Sequence, residues 1–199
     1  MVSAVPRLFC LVDVTDDVAL LPDLAGAGVD GFQVRAKSLA DGALVSFTRG
    51  VIEAVRPHGA VVVVNDRVDV ALAGGADGVH LGRTDLPVAD ARRIAPGLLV
   101  GATCRSRDHA AEAARDGADY AGIGPVFASA SKRGLPDPLG VPAVETAAGE
   151  LPLVAIGGIS VADVPALRAA GAHGVAVIAA IWGARDPVGS AKELVAELA

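Results

Sequence analysis

Four times along this chain a helix-like stretch closes on glycine and turns at once into an apolar run. The segments are Ala25-Gly26-Ala27-Gly28-Val29-Asp30-Gly31, Ala73-Gly74-Gly75-Ala76-Asp77-Gly78, Asp116-Gly117-Ala118-Asp119-Tyr120 and Ala170-Gly171-Ala172-His173-Gly174. Glycine there suits the left-handed geometry that ends a helix. The apolar runs predict strands at Leu8–Val14, Gly31–Arg35, Ala60–Asn65, Gly78–Leu81, Leu98–Gly101, Tyr120–Ile123, Leu153–Ile156 and Gly174–Ile178. Amphipathic stretches predict helices near 17–27, 40–56, 67–75, 88–95, 106–117, 141–149, 161–171 and 187–198. This β-α rhythm carries no hairpin signal, so the sheet is expected to be parallel. Because the glycine device precedes strands two, four, six and eight, the chain reads as four similar quarters of a closed (β/α)8 TIM barrel. A doubly wound open sheet is the alternative, but it seldom has eight such evenly spaced units.

At 199 residues the expectation is one barrel domain over 1–199, at the short end for that fold. An apolar content of 52% with 24 glycines suits parallel strands buried on both faces. No apolar stretch is long enough to span a bilayer without glycine or charge; the richest, Ala169 to Ala184, contains His173 and reads as a strand with its flanks. There is no signal-peptide plan, and the chain is expected to be cytoplasmic. A net charge of −6 argues against nucleic acid as a partner. Cys10 and Cys104 give neither a disulfide framework nor a metal spacing. A possible homo-oligomer stays open.

In such a barrel, chemistry belongs to the C-terminal ends of the strands. Asp30, Asp77 and Asp119 lie before strands and are assigned to turn capping. Gln33-Val34-Arg35-Ala36-Lys37 ends strand two, and alternation puts Gln33, Arg35 and Lys37 on one face. Two cations that close suit an anion such as a diphosphate; a solvated basic loop is the alternative. Asn65-Asp66 ends strand three and Asp85 follows strand four. Mg²⁺ usually takes one or two protein carboxylates and leaves the rest to water and phosphates. Each acid also reads as an N-cap, Asp66 with Asp69 in the first turn and Asp85 before Leu86-Pro87. Asn65, at an inward strand end, has no capping role.

The one long loop, Phe127 to about Gly140, carries Ser129, Ser131, Lys132 and Arg133 and suits phosphate binding. Ile156-Gly157-Gly158-Ile159-Ser160 and Val177-Ile178-Ala179-Ala180 follow strands seven and eight, where this fold usually binds phosphate through backbone N–H groups. Ser160 with Asp163 reads as a helix cap. His58 and His109 fall on predicted helices or their ends, His173 on the bottom face, and His80 within strand four, where it is read as packed. Cys104 has no His base at a recognisable spacing, which leaves little for a thiol nucleophile or zinc.

Gln-x-Arg-x-Lys, Val-Asn-Asp-Arg-x-Asp-x-Ala, Gly-Val-His-Leu-Gly-x-x-Asp-Leu, Gly-Ile-Gly-Pro-Val-Phe, Ser-Ala-Ser-Lys and Ala-Ile-Gly-Gly-Ile together resemble thiamine phosphate synthase, in order from about Arg7 to the C-terminus. The resemblance implies a barrel that joins hydroxymethylpyrimidine diphosphate to thiazole phosphate and releases pyrophosphate. It implies that Gln33, Arg35, Lys37, Asn65 and Thr103 hold the pyrimidine diphosphate, with Asp66 and Asp85 on Mg²⁺. Ser129 and Ser131 would contact the thiazole substrate, Lys132 the diphosphate, and Gly158, Ile178 and Ala179 the thiazole phosphate. The implied catalytic cations are Arg35, Lys37 and Lys132.

The chain departs from the family pattern at Ala36, usually acidic, which removes a local partner for the cations. It departs again at Thr103-Cys104-Arg105-Ser106, at the two loop serines that replace threonines, and at Ala179, commonly Ser. Related thiazole tautomerases resemble the chain around Lys132-Arg133-Gly134-Leu135, but they lack the paired acids and use a His where this chain has Arg105. A non-catalytic phosphate-ligand binder is the rival of another class; the acid pair argues against it.

Overall fold

In the computed structural model, which describes residues 4–129, 134 and 136–199, the apolar runs become parallel strands that pair in chain order and close on themselves. They are β1 (Leu8–Val12), β2 (Gly31–Val34), β3 (Val61–Asn65), β4 (Gly78–Leu81), β5 (Leu99–Cys104), β6 (Tyr120–Ile123), β7 (Leu153–Ile156) and β8 (Gly174–Val177). The seam is β8 against β1, with Leu8 beside Val175 and Cys10 beside Val177. Around the barrel lie α1 (Leu21–Gly26), α2 (Asp41–Val55), α3 (Val68–Gly74), α4 (Val88–Ile94), α5 (Arg107–Arg115), α6 (Val141–Ala147), α7 (Val164–Ala169), α8 (Ala179–Trp182) and α9 (Pro187–Leu198). Among the described residues no helix is long and apolar enough to cross a membrane.

The four glycine endings share one geometry. Gly28, Gly75, Gly117 and Gly171 all have positive φ, between 77° and 105°. The next residue then donates its N–H five residues back: Val29 to Leu24, Ala76 to Ala71, Ala118 to Ala113 and Ala172 to Leu167. This is the Schellman closure, and it satisfies carbonyls the helix leaves orphaned.

Strand alternation divides the core in two. Leu8, Cys10 and Val12 pack outward with the helices, whereas Phe9 and Leu11 join Val63, Leu99, Tyr120, Val154 and Ala176 inside the barrel. The same parity points Gln33, Asn65, His80, Thr103 and Arg105 inward and Cys104 outward. Glycines make room for the large inner residues. A Cβ on Gly101 would overlap the Tyr120 ring, and one on Gly122 would come within 2.8 Å of His80.

The bottom-face acids do more than cap turns. Asp30 accepts from the Arg7 and Leu8 N–H groups (2.9 and 2.8 Å), Asp77 from Val62 (2.9 Å) and Asp119 from Val100 (2.7 Å). Each acid before an even strand thus ties down the start of the preceding odd strand. Asp119 also takes the Arg92 guanidinium at 2.6 Å. Asp119→Ala leaves both donors without that acceptor and is expected to cost about 2 kcal/mol of stability, read by urea unfolding. A change below about 0.5 kcal/mol would mean that this tie contributes no more than an ordinary surface contact.

Several boundaries differ from expectation, and three differences shape the chain near the site. β1 stops at Val12 because Asp16 accepts the Asp13 N–H at 2.7 Å and turns the chain. β5 continues past Gly101 to Cys104, so Thr103 is a strand residue. The short α8 follows β8 directly; no polar cap announces it, its N-cap being Ile178.

Candidate active site

A cavity of about 390 Å³ opens at the C-terminal end of the barrel. Its inner end is apolar, formed by Phe9, Leu11, Tyr120, Val154 and Ala176, with the Phe9 and Tyr120 rings stacked at 5.4 Å. Tyr120 is fully enclosed, and burial drives its phenol well above the usual range, so it stays neutral. Its hydroxyl meets His80 Nδ1 at 3.1 Å, and His80 Nε2 meets the Thr103 hydroxyl at 3.0 Å. Both hydroxyls can donate or accept, so this chain suits either neutral tautomer of the imidazole. His80 therefore lines the cavity as well as packing in the barrel.

The polar wall comes from β2, β3 and β4. Gln33 Nε2 donates to Asn65 Oδ1 at 2.6 Å, which fixes two amides side by side. Arg35 lines the same wall. Among the described residues its guanidinium has no hydrogen-bond or ion-pair partner. Lys37 Nζ lies 3.0 Å from Asp66 Oδ2, so the cation expected to lack a local partner finds one across the strand. Ala36 itself is buried in the outer core, where an acid would have no partner of its own.

Neither acid caps a helix. Arg67 is the residue before α3 and makes no side-chain cap, and Pro87 holds that place before α4. Asp66 has φ 68°, the only positive φ among the described non-glycine residues, and its N–H donates to the His80 carbonyl at 2.8 Å. A left-handed residue at a strand exit costs about 1–2 kcal/mol. Here it turns a carboxylate towards the cavity, which Asp66 lines. Asp85 Oδ2 accepts the Gly82 N–H at 2.6 Å, and a side chain at 82 would crowd that oxygen. Burial, then the neighbouring Asp66 carboxylate, push the Asp85 carboxyl up from its usual range, against the Gly82 N–H and Lys37. The pair offers only hard oxygen donors with a like-charge conflict between them, which fits a hard divalent cation such as Mg²⁺.

The long loop from β6 to α6 is stitched to its neighbours at both ends. Val126 and Phe127 donate to the Ile156 and Gly157 carbonyls at 2.9 Å, and Leu139 and Gly140 donate back to Pro125 and Val126 at 2.8 and 2.9 Å. Ser129 reaches the cavity wall. Ser131 and Lys132 lie outside the described residues. Gly157 and Gly158 are needed by this stitching itself: both have positive φ, and a Cβ on either would strike the loop at Pro125 or Ala128.

Thus one cavity collects Gln33, Arg35, Lys37, Asn65, Asp66, Asp85, Thr103, Ser129 and Ile178. Gly158 and Ala179 stand at strand exits outside its lining. Sequence reasoning left out His80, Tyr120, Arg83 and Arg105, all of which line it. The signal for His80 was its parity: two positions separate it from Gly78 and Gly82, on the strand face that looks inward. Cys104 packs outward with the helices, and burial raises its thiol to about 11.

Comparison with known proteins places the chain in a family. The family model described as thiamine monophosphate synthase matches residues 9–181. The thiamine-phosphate synthase of Anaeromyxobacter dehalogenans is 46% identical over 190 residues, covering 94% of this chain and 85% of that protein. The thiamine biosynthesis bifunctional protein ThiM/ThiE of Symbiobacterium thermophilum is also 46% identical, over 194 residues and 96% of this chain; the chain spans only 40% of that protein's length. Among solved structures, thiamine phosphate pyrophosphorylase from Pyrococcus furiosus superposes with a TM-score of 0.87 at 32% identity, covering 96% of this chain and 95% of that one.

Proposed function

Because this chain belongs to the thiamine monophosphate synthase family, we propose that it joins a hydroxymethylpyrimidine diphosphate to a thiazole phosphate, giving thiamine phosphate and pyrophosphate. The supporting observation is that Arg35, Lys37, Asp66 and Asp85 meet at the polar side of one cavity whose inner end is apolar. A diphosphate fits the first part and a heteroaromatic ring the second.

In this reading Gln33, Asn65 and Thr103 orient the pyrimidine, and Arg35, Lys37 and Lys132 face its diphosphate. Asp66 and Asp85 would hold Mg²⁺, which supplies further charge neutralisation to the leaving group. The CH₂–O bond breaks with its electron pair leaving on pyrophosphate, and the thiazole nitrogen donates its pair to form the new C–N bond. Ser129 and Ser131 position the thiazole, with Gly158, Ile178 and Ala179 around its phosphate. No side chain has to gain or lose a proton. The residues contribute charge stabilisation and alignment of two substrates.

A tautomerase reading is disfavoured by Arg105, which occupies the position of that family's His. A guanidinium stays protonated and cannot act as the base. The test is to mix the protein with both phosphorylated substrates, with Mg²⁺ and with excess chelator, and to measure thiamine phosphate and pyrophosphate. Mg²⁺-dependent product in equal amounts supports the synthase. Binding without turnover, or thiazole isomerisation alone, rejects it.

A further inference from the structure

The two feet of the β6–α6 loop run side by side, and their backbone pairing stops at one point. Leu139 donates to the Pro125 carbonyl and Gly140 to the Val126 carbonyl. Pro125 has no N–H with which to answer. Beyond that point the Gly124 and Asp137 carbonyls both receive their hydrogen bonds from one side chain. Arg105 Nη1 donates to Gly124 at 3.3 Å and Nη2 to Asp137 at 2.9 Å. A planar fork can serve two fixed acceptors at once. The guanidinium also lines the cavity, and among the described residues no carboxylate pairs with it. It therefore joins a strand exit to the far foot of the loop, and its charge remains at the mouth of the site.

We propose that Arg105 is a positioning residue for the thiazole phosphate. It clasps the two feet of the loop and so sets where Ser129, on the cavity wall, meets that substrate. This inference rests on the synthase reading. The clasp acts more on the thiazole half of the site, because on the pyrimidine side the loop is assigned Lys132 alone, whereas Gln33, Asn65 and Thr103 are carried by β2, β3 and β5.

The test compares wild type, Arg105→Ala and Arg105→Lys by steady-state kinetics in each substrate and by amide hydrogen exchange at Leu139 and Gly140. In Arg105→Ala, loss of two charge-assisted hydrogen bonds is expected to raise KM for the thiazole phosphate about tenfold. KM for the pyrimidine diphosphate should rise clearly less, since strand residues supply most of its contacts, and exchange at Leu139 and Gly140 should quicken. Arg105→Lys should resemble the alanine variant, since a single ammonium has no planar fork for two carbonyls. Equal rises in both KM values, full rescue by lysine, or unchanged exchange would each overturn the inference. Wild-type protein that makes no thiamine phosphate rejects the synthase reading instead, and the exchange comparison still decides whether the clasp exists.

Discussion

Asp66→Ala is expected to lower kcat by at least about a hundredfold, because losing one preorganised charge contact typically raises a barrier by about 3–4 kcal/mol. Two effects coincide at this residue. Its carboxylate is one of the two proposed Mg²⁺ ligands, and it also holds Lys37 at 3.0 Å. Without it, Asp85 alone faces the cation, and Lys37 loses its anchor. Rates measured at saturating Mg²⁺ check the result, and near-normal turnover would remove Asp66 from the metal assignment. Stability separates the chemistry from the backbone. Asp66 sits at φ 68°, where alanine is strained and glycine is not. Asp66→Gly should therefore unfold at higher urea than Asp66→Ala, by about 1 kcal/mol, although both lose turnover. If the two variants are equally stable, the left-handed conformation is not imposed on this position.

Gly101→Ala is expected to have the largest effect on folding. Gly101 pairs with Tyr120 across β5 and β6, and an added Cβ would overlap the buried ring. The ring cannot swing away, because Phe9 stacks on it and His80 leans against it. Overpacking of this kind costs about 3 kcal/mol, which for a chain this long lowers Tm by roughly 10 °C. A displaced Tyr120 also releases His80 and, through it, Thr103, so turnover should fall even at temperatures where the variant is folded. Calorimetry and rates below the transition check both parts. Since the two residues touch, Gly101→Ala/Tyr120→Leu should be less destabilised than the two single variants summed. Simple additivity would show that the ring is not the obstacle.

The barrel was legible because its signals are local. Four glycine endings and eight apolar runs fix period, direction and strand number without any knowledge of the interior. The end of β5 was not legible, because Gly101 reads as a strand terminus unless one knows that Tyr120 needs the space. The acids after β3 and β4 fitted helix caps equally well. What decides against caps is backbone conformation at Asp66 and the close Gly82 N–H at Asp85, neither of which composition encodes. His80 was read as packed, correctly as far as it goes, but a histidine between two inward glycines has room beside it for a ligand. Gly157-Gly158 fitted a phosphate cradle by position. The structure adds a second reason for glycine there, the loop of β6–α6 pressing on its backbone.

Strand parity has one more consequence. If the reaction passes through a carbocation, the wall of the vessel must not react with it faster than the thiazole does. The softest nucleophiles in the chain are its two thiols, and both Cys10 and Cys104 are buried in the outer layer, between strands and helices. The imidazole that does border the cavity has Tyr120 and Thr103 hydroxyls on its two nitrogens. By sending sulfur to one side of each strand and engaging the ring nitrogens on the other, the fold would then protect the protein from alkylating itself.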